Sequence, residues 1–138
     1  MEPSTLAATA AAPQADDGLT SSAAHSRFVT RVRRRWPDEP QLLEPGAPTR
    51  AAIERLIDTL QARDRSLDSA LRVARHVVIE RLAVLDTEEG APLDVVTHAM
   101  TWLAEACLDR ALARALVDAD ARFGVPRNVA GERIEFWI

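Results

Sequence analysis

The chain has 138 residues, with 17 basic and 21 acidic side chains and a formal net charge of −4 at pH 7. This length suffices for one domain with a self-supporting core, and the slightly acidic balance excludes a uniformly basic surface for nucleic acid. Because every basic residue is arginine, lysine Schiff-base chemistry and a P-loop are excluded as well. The single Cys107 favours a reduced cytoplasmic protein without disulfides, and no apolar run approaches membrane-spanning length.

Residues 1–24 are predicted to form a disordered tail. They are rich in Ala, Ser, Thr and Pro, and their few large apolar side chains cannot offset the entropy lost on ordering. A secretory signal is not expected, since the segment lacks a basic start and a continuous apolar region. The rest is divided into a helical domain over residues 25–126 and a turn with a first strand over residues 127–138.

A first helix is predicted from His25 to Trp36, because Pro37 follows and the residue before a proline avoids the helical region. Its apolar residues share one helical face: Phe28, Val29, Val32 and Trp36. Its arginines lie around the remainder: Arg31, Arg33, Arg34 and Arg35. They form either a phosphate-binding patch or a solvated face whose last turn favours cations, and the usual behaviour of charge runs favours the solvated face.

Two more helices follow a connector over residues 37–48, which is predicted to be extended because it holds four prolines and a glycine. The second helix runs from Thr49 to Arg63, and its apolar stripe consists of Ile53, Leu56, Ile57 and Leu60. Ser66 is a suitable N-cap for the third helix, since its hydroxyl can accept from a first-turn N–H. The stripe of the third helix recurs at steps of three and four: Leu67, Leu71, Ala74, Val78, Leu82 and Leu85.

The fourth helix is predicted to begin with Pro92 in its first turn. Its apolar stripe starts with Leu93, Val96, Met100, Leu103 and Cys107, and then drifts through Ala111, Leu112, Ala115, Leu116 and Ala119 to Phe123. A short polar loop at residues 86–90 joins the third and fourth helices, so they are expected to pack antiparallel. Gly124 is expected to be the left-handed residue after the helix, and Pro126 prevents the helix from resuming.

Residues 133–138 alternate with the two-residue period of a half-buried strand. A strand in this position is expected to be the start of a larger unit. Phe136 and Trp137 are expected to favour association of the isolated chain, because an unpaired apolar strand edge invites pairing.

Candidate metal ligands are few. His76 and Glu80 are four residues apart, which is half of a helical metal pair, but a solvated surface pair is the favoured interpretation. His98 has no second histidine or cysteine at a ligand spacing, so it is interpreted as a polar flank of the fourth helix.

The other charged residues are interpreted as helix surface. One group forms either an ion-pair network or a solvated face, with the solvated face favoured: Arg72, Arg75, Arg81 and Asp86. Glu105 and Asp109 are expected to pair with Arg110 and Arg114 along the fourth helix. The sequence has no Gly-rich phosphate loop, Ser-His-Asp set or Cys-x-x-Cys motif, so no catalytic, cofactor-binding or metal-binding residue is assigned.

Several segments nevertheless occur in a recognisable order. They are Leu-Arg-Val-Ala-Arg at 71–75, Arg-Leu-Ala at 81–83 with Asp86, Val-Thr-His-Ala-Met-Thr at 96–101 with Leu-Ala-Glu at 103–105, and Arg-Phe-Gly-Val-Pro-Arg at 122–127. Their order and spacing resemble the start of the bifunctional glutamine synthetase adenylyltransferase/adenylyl-removing enzymes. In that family an arginine-bearing helix precedes a long Leu-Ala-Glu helix, which ends at an aromatic-Gly-x-Pro turn and passes into a strand. The resemblance covers residues 28–138, most strongly from Leu67 onward.

The resemblance implies a metal-dependent enzyme. In the family the strand leads into a Gly-x-Gly-Lys-Leu-Gly loop and a Ser-Ser-Asp-x-Asp-Leu segment, whose paired aspartates hold magnesium. That unit removes AMP from a modified tyrosine of glutamine synthetase, with phosphate attacking to release ADP. A second, C-terminal unit attaches AMP from ATP, and glutamine and the PII signalling protein set the balance. This sequence contains neither motif, so no catalytic residue transfers to it, and Mg²⁺ and ATP or ADP are implied for the full-length family only.

The favoured interpretation is an all-α N-terminal segment with about four helices, an antiparallel pair of long C-terminal helices and a terminal strand stub. It is expected to be inactive by itself, to support the deadenylylating domain, and to help present glutamine synthetase; PII is the other expected partner, and nucleic acid and membrane are not expected. The alternative is a stand-alone helical protein-interaction module. A nucleic-acid binder that uses the cluster from Arg31 to Arg35 ranks last.

Overall fold

Helices account for most of residues 23–135, the part of the chain that this computed structural model describes. Within it, the α-helices are α1 (Arg27–Arg35), α2 (Arg50–Ala62), α3 (Leu67–Thr87) and α4 (Leu93–Phe123). Short 3-10 turns lie at Ala23–His25 and Glu39–Leu42. The all-α prediction is confirmed, and each predicted helix is present close to its expected bounds. None of these helices combines the length and apolar character that crossing a bilayer requires.

Side-chain caps begin the first three helices. The hydroxyl oxygens of Ser26, Thr49 and Ser66 each accept a hydrogen bond from the N–H three residues later, at 3.4, 3.2 and 3.3 Å. Each bond satisfies a donor that a helix start leaves without an intrahelical partner. The prediction for Ser66 is confirmed. Pro92 lies just before α4, with an extended ψ of 145°, and not within the first turn as predicted.

The core is organised around α3, which contacts α1, α2, α4 and both 3-10 turns. Because neighbours cover more than one of its faces, Ala70, Val73 and Val77 are buried in addition to most of the predicted stripe. The predicted stripe of α2 is confirmed in full, and each of its members is at most 1% exposed: Ile53, Leu56, Ile57 and Leu60.

α4 packs antiparallel to α3 after the loop at residues 88–92, as predicted, and it also contacts α2. The predicted stripe of α4 is partly wrong, because Leu93 is 76% exposed and Met100 is 41% exposed. The buried residues of this helix are Ala99, Leu103 and Ala106. Small side chains allow close helix approach, so the contact face is centred on alanines that a search for large apolar residues passes over.

The connector between α1 and α2 is not simply extended as predicted, because the 3-10 turn Glu39–Leu42 interrupts it. Pro40 lies in the first turn, where its fixed φ is suitable. The Glu39 side chain is 10% exposed, and its Oε1 accepts a hydrogen bond from Arg65 at 2.5 Å. This ion pair joins the connector to the residues between α2 and α3.

The predicted disordered tail lies outside the described residues except for Ala23 and Ala24, which begin the first 3-10 turn. Ala23 is 2% exposed, and its N–H donates to Oε1 of Glu88 at 2.8 Å. Order therefore extends at least to Ala23, because this hydrogen bond ties it to the loop between α3 and α4.

α4 ends where predicted, and Gly124 has a φ of 84° that favours glycine. After Pro126 the chain forms a turn that is closed by an isolated antiparallel bridge between Arg127 and Arg133. The N–H of Ile134 donates to the carbonyl of Pro126 at 3.0 Å. Up to residue 135 the structure has no strand, so the predicted strand stub is not observed there, and residues 136–138 lie outside the described residues.

Candidate functional site

Arg33 of α1 is bonded to another helix of the bundle. Its Nε donates to Oε1 of Glu80 on α3 at 2.6 Å, and the Glu80 side chain is 5% exposed. A carboxylate so far removed from water needs a charged partner, so this pair fixes α1 against α3. Both interpretations of Glu80, as a metal ligand and as a solvated partner of His76, are therefore wrong.

Arg31, Arg34 and Arg35 of the same helix instead line a pocket of about 460 Å³. The pocket is lined mainly by Phe28, Arg31, Arg34, Arg35, Trp36 and His76. The arginines are exposed, whereas the three rings are half-buried. The exposure of these arginines fits both interpretations of the cluster, the solvated face and the phosphate-binding patch, and the face adjoins an aromatic cavity that the sequence did not indicate.

The aromatic wall of this pocket is built around His76. Its ring centroid is 4.9 Å from that of Trp36 and 6.1 Å from that of Phe28, with the Phe28 plane inclined by 17°. Nδ1 of His76 lies 2.6 Å from the carbonyl oxygen of Arg72. Because a carbonyl only accepts, Nδ1 carries the proton, and the bond fixes the orientation of the ring.

Glu105 and Asp109 of α4 are bonded to α2, whereas the prediction paired them with arginines of their own helix. Arg50 donates to Glu105 at 3.0 Å and to Asp109 at 2.6 Å. It also donates to Glu54 at 3.0 Å, and that hydrogen bond, together with the charges of Asp109 and Glu105, raises the pKa of Arg50. This exposed cluster links α2 to the middle of α4 and has the geometry of a structural tie.

The basic partners expected for those carboxylates are engaged elsewhere. Arg110 pairs with Asp58 of α2 at 2.7 Å, whereas Arg114 pairs with Asp118 along α4 at 2.9 Å. Neither pair is one that the spacing along α4 predicted, and a partner on another helix, such as Asp58, cannot be found from spacing along one helix.

The other candidates lie apart from the pocket. His98 is exposed, as predicted, with its ring 6.2 Å from that of Trp102. Arg81 pairs with Glu89 at 3.0 Å and donates to the carbonyl of Gly46 at 2.9 Å. Arg72, Arg75 and Asp86 are exposed, as the solvated-face interpretation expects.

Metal and thiol chemistry have little support in the described part of the chain. Residues 23–135 contain no group of three or more His, Cys, Asp or Glu side chains that could hold a metal ion. The magnesium that the resemblance implies for the full-length family therefore has no set of ligands among these residues. Burial raises the pKa of the Cys107 thiol, while the charge of Arg75 acts in the opposite direction.

A second candidate surface lies on the distal half of α4, residues 108–123. Large apolar side chains are exposed there: Leu108 at 51%, Val117 at 64% and Phe123 at 77%. The turn that follows adds Val125, Val129 and Ile134, which are also exposed. At about 100° per residue, Leu108 and Val117 lie on opposite sides of the helix, so the described residues leave apolar side chains uncovered on more than one side of this half. Of the large exposed apolar residues of α4 in this half, only Phe123 belongs to the predicted stripe, and Leu112 and Leu116 of that stripe are half-buried.

Comparison with known proteins gives a consistent result. Residues 18–138 match the family described as glutamate-ammonia ligase adenylyltransferase. The chain is similar to proteins named bifunctional glutamine synthetase adenylyltransferase/adenylyl-removing enzyme from Burkholderia mallei (strain ATCC 23344) and Burkholderia pseudomallei (strain K96243), with 32% identity over 126 residues in each case. Each alignment covers 85% of this chain and 14% of the relative's length. No solved structure matches the chain.

Proposed function

This chain belongs to the glutamate-ammonia ligase adenylyltransferase family, and we propose that it is the helical N-terminal part of an enzyme that adenylylates and deadenylylates glutamine synthetase. Its role in that enzyme is to support a catalytic domain and to help present glutamine synthetase. Catalysis, with its Mg²⁺ and ATP or ADP, belongs to the remainder of the protein, which acts in the cytoplasm. Glutamine and the PII signalling protein act on the same remainder as regulators.

The observation that carries this proposal is the exposed apolar surface on the distal half of α4. Full burial of a side chain such as Val117 or Phe123 contributes about 1.5–3 kcal/mol, so a helix that leaves several of them in water is suited to receive another unit. The relatives extend far beyond the aligned segment, since it covers 14% of their length. A catalytic domain of such a protein is the occupant that we assign to this surface.

The same surface would also serve a stand-alone interaction module, which is the second candidate. The two differ in what the gene encodes beyond Ile138. Our proposal expects a glycine-rich loop with a lysine, followed by a pair of aspartates. A coding sequence without them favours the module.

The direct test uses a chimera in which this chain replaces the matching segment of the Burkholderia mallei relative. We expect the chimera to adenylylate glutamine synthetase with ATP, and to release ADP from the adenylylated form in the presence of phosphate and magnesium. The 138-residue chain alone should release no ADP. ADP release by the chain alone would disprove the inactivity of this segment.

Substitutions in the chimera test the surface itself. Val117→Asp and Phe123→Asp should each lower both activities, because they place a charge in the proposed domain contact. Leu93→Asp is the matched control, since Leu93 is also a large exposed apolar residue of α4 but lies at its other end. Equal losses for the three variants would refute a specific role of the distal half.

A further inference from the structure

The pocket beside α1 has features of a ligand site that the proposed function does not use. Its volume of about 460 Å³ lies within the range of about 300–1,000 Å³ that is usual for small-molecule pockets. It combines half-buried aromatic walls with three exposed guanidinium groups. We propose that it binds a small anion joined to a flat aromatic ring, such as a nucleoside monophosphate.

The positive charge of the pocket favours an anionic ligand. Arg31, Arg34 and Arg35 approach one cavity, and in the described residues none of them has a carboxylate partner within 4.0 Å. Arg33 differs from these neighbours because it is committed to Glu80. Guanidinium groups bind phosphate and carboxylate through parallel N–H donors, so the unpaired arginines supply the donors that such an anion needs.

The aromatic side chains of the pocket favour a ligand with a flat ring. Trp36 and His76 are 4.9 Å apart between centroids with an interplanar angle of 46°, so they form two inclined walls and not one closed stack. Bases and similar rings stack on aromatic side chains and on arginine planes, which makes this wall suitable for a heterocycle or a benzene ring.

The site is also held in place before any ligand arrives. The Arg33–Glu80 pair fixes α1 to α3, and the bond from His76 Nδ1 to the Arg72 carbonyl fixes the ring that both aromatic neighbours contact. Fixed side chains lose less entropy on binding, which distinguishes this pocket from a loose row of surface arginines.

Calorimetry on the 138-residue chain tests the proposal without glutamine synthetase, so its outcome is independent of the proposed function. AMP probes the nucleotides, and ribose 5-phosphate and adenosine are its two halves. Benzoate probes aromatic carboxylates, with acetate as its ring-free counterpart. We expect AMP or benzoate to bind, and to bind at least about tenfold more tightly than each of its fragments.

Variants locate the binding. Arg34→Gln should weaken binding about tenfold or more, because it removes charge-assisted hydrogen bonds. Trp36→Leu should weaken it at least about fivefold through loss of stacking. Arg63→Gln, the same charge change at an exposed arginine outside the pocket, should leave affinity unchanged. Far-UV circular dichroism and a urea midpoint establish that each variant is folded.

Three results would overturn the proposal. The first is no binding of AMP or benzoate by the folded chain. The second is binding of ribose 5-phosphate as tightly as AMP, or of acetate as tightly as benzoate, which indicates charge attraction alone. The third is binding of a single-stranded oligonucleotide with a steep salt dependence while AMP does not bind, which indicates a nucleic-acid surface.

Discussion

The two halves of α4 differ in what covers them, although both carry apolar residues at helical spacing. In the first half, Ala99, Leu103 and Ala106 pack into the core with α2 and α3. In the distal half, Phe123 of the predicted stripe is exposed, and so is Val117, which lies outside that stripe. An apolar stripe therefore indicates that a helix face is suited to packing, but it does not show whether the packing partner belongs to the same folded unit.

The two halves of α4 are expected to contribute to different properties, the stability of the fold and the association with another unit. The buried half shares a continuous core. The distal half is joined to α2 at its start by the exposed pair of Arg110 with Asp58, and farther along it has local pairs such as Arg114 with Asp118. Substitutions in the first region should thus change the free energy of unfolding, and substitutions in the second should mainly change association with another unit.

The largest contrast is expected between Ile57→Ala and Val117→Ala. Ile57 is 0% exposed, so its truncation should lower the free energy of unfolding by about 2–5 kcal/mol. Val117 is 64% exposed, and its truncation should change stability by less than about 0.5 kcal/mol. Urea denaturation followed by circular dichroism gives both values. A comparable loss for Val117→Ala would mean that the distal half belongs to the core.

A smaller contrast is expected within α1. Arg33→Ala leaves the buried Glu80 without its partner and should cost about 1–3 kcal/mol. Arg34→Ala removes an exposed charge from the adjacent position and should cost less than about 0.5 kcal/mol. The same denaturation measurement compares them. Equal costs would show that the pair does not hold α1 to α3.

A still smaller effect is expected where α2 meets the middle of α4. Arg50→Gln should lower the midpoint of thermal unfolding slightly at low salt, because it breaks bonds to Glu105 and Asp109. Added NaCl should reduce this loss, since salt screens exposed charges. Arg114→Gln, which removes only a pair within the distal half, should have less effect. A loss for Arg50→Gln that does not vary with salt would exclude the electrostatic explanation.

The smallest effect concerns Cys107. Burial raises the pKa of its thiol, so iodoacetamide should modify the folded chain more slowly at pH 8 than the chain in urea. Because the folded-state pKa is the higher one, the stability from the protonated thiol is complete below the unfolded pKa and is lost as pH rises through the folded pKa. Arg75→Gln should slow the reaction further. A faster reaction in the folded chain would contradict the burial.

Local signals in the sequence predicted most of the fold. The N-cap at Ser66, the stop at Gly124 and the stripe of α2 each depend on residues within one or two turns, and all are present in the structure. These features follow from backbone donors and side-chain periodicity, which a sequence displays directly.

Features that depend on distant residues could not be predicted in this way. Nothing local indicates that Glu80 meets Arg33, that His76 lies beside Trp36, or that α4 faces the core with alanines. Each depends on how whole helices are arranged. The family could be recognised from the sequence because its motifs keep their order along the chain. The pocket could not be recognised, because its walls come from both α1 and α3.

The unbroken length of α4 has a mechanical consequence. Its 31 residues extend for about 46 Å, and each residue advances the chain by about 1.5 Å and turns it by about 100°. One residue inserted near Val117 would therefore swing the turn at residues 127–133 through about a quarter of a revolution relative to the bundle. Seven inserted residues make nearly two full turns, so the turn at residues 127–133 would face almost its original direction but lie farther from the bundle. The length of α4 thus sets both the distance of the following segment from the bundle and the direction in which it faces.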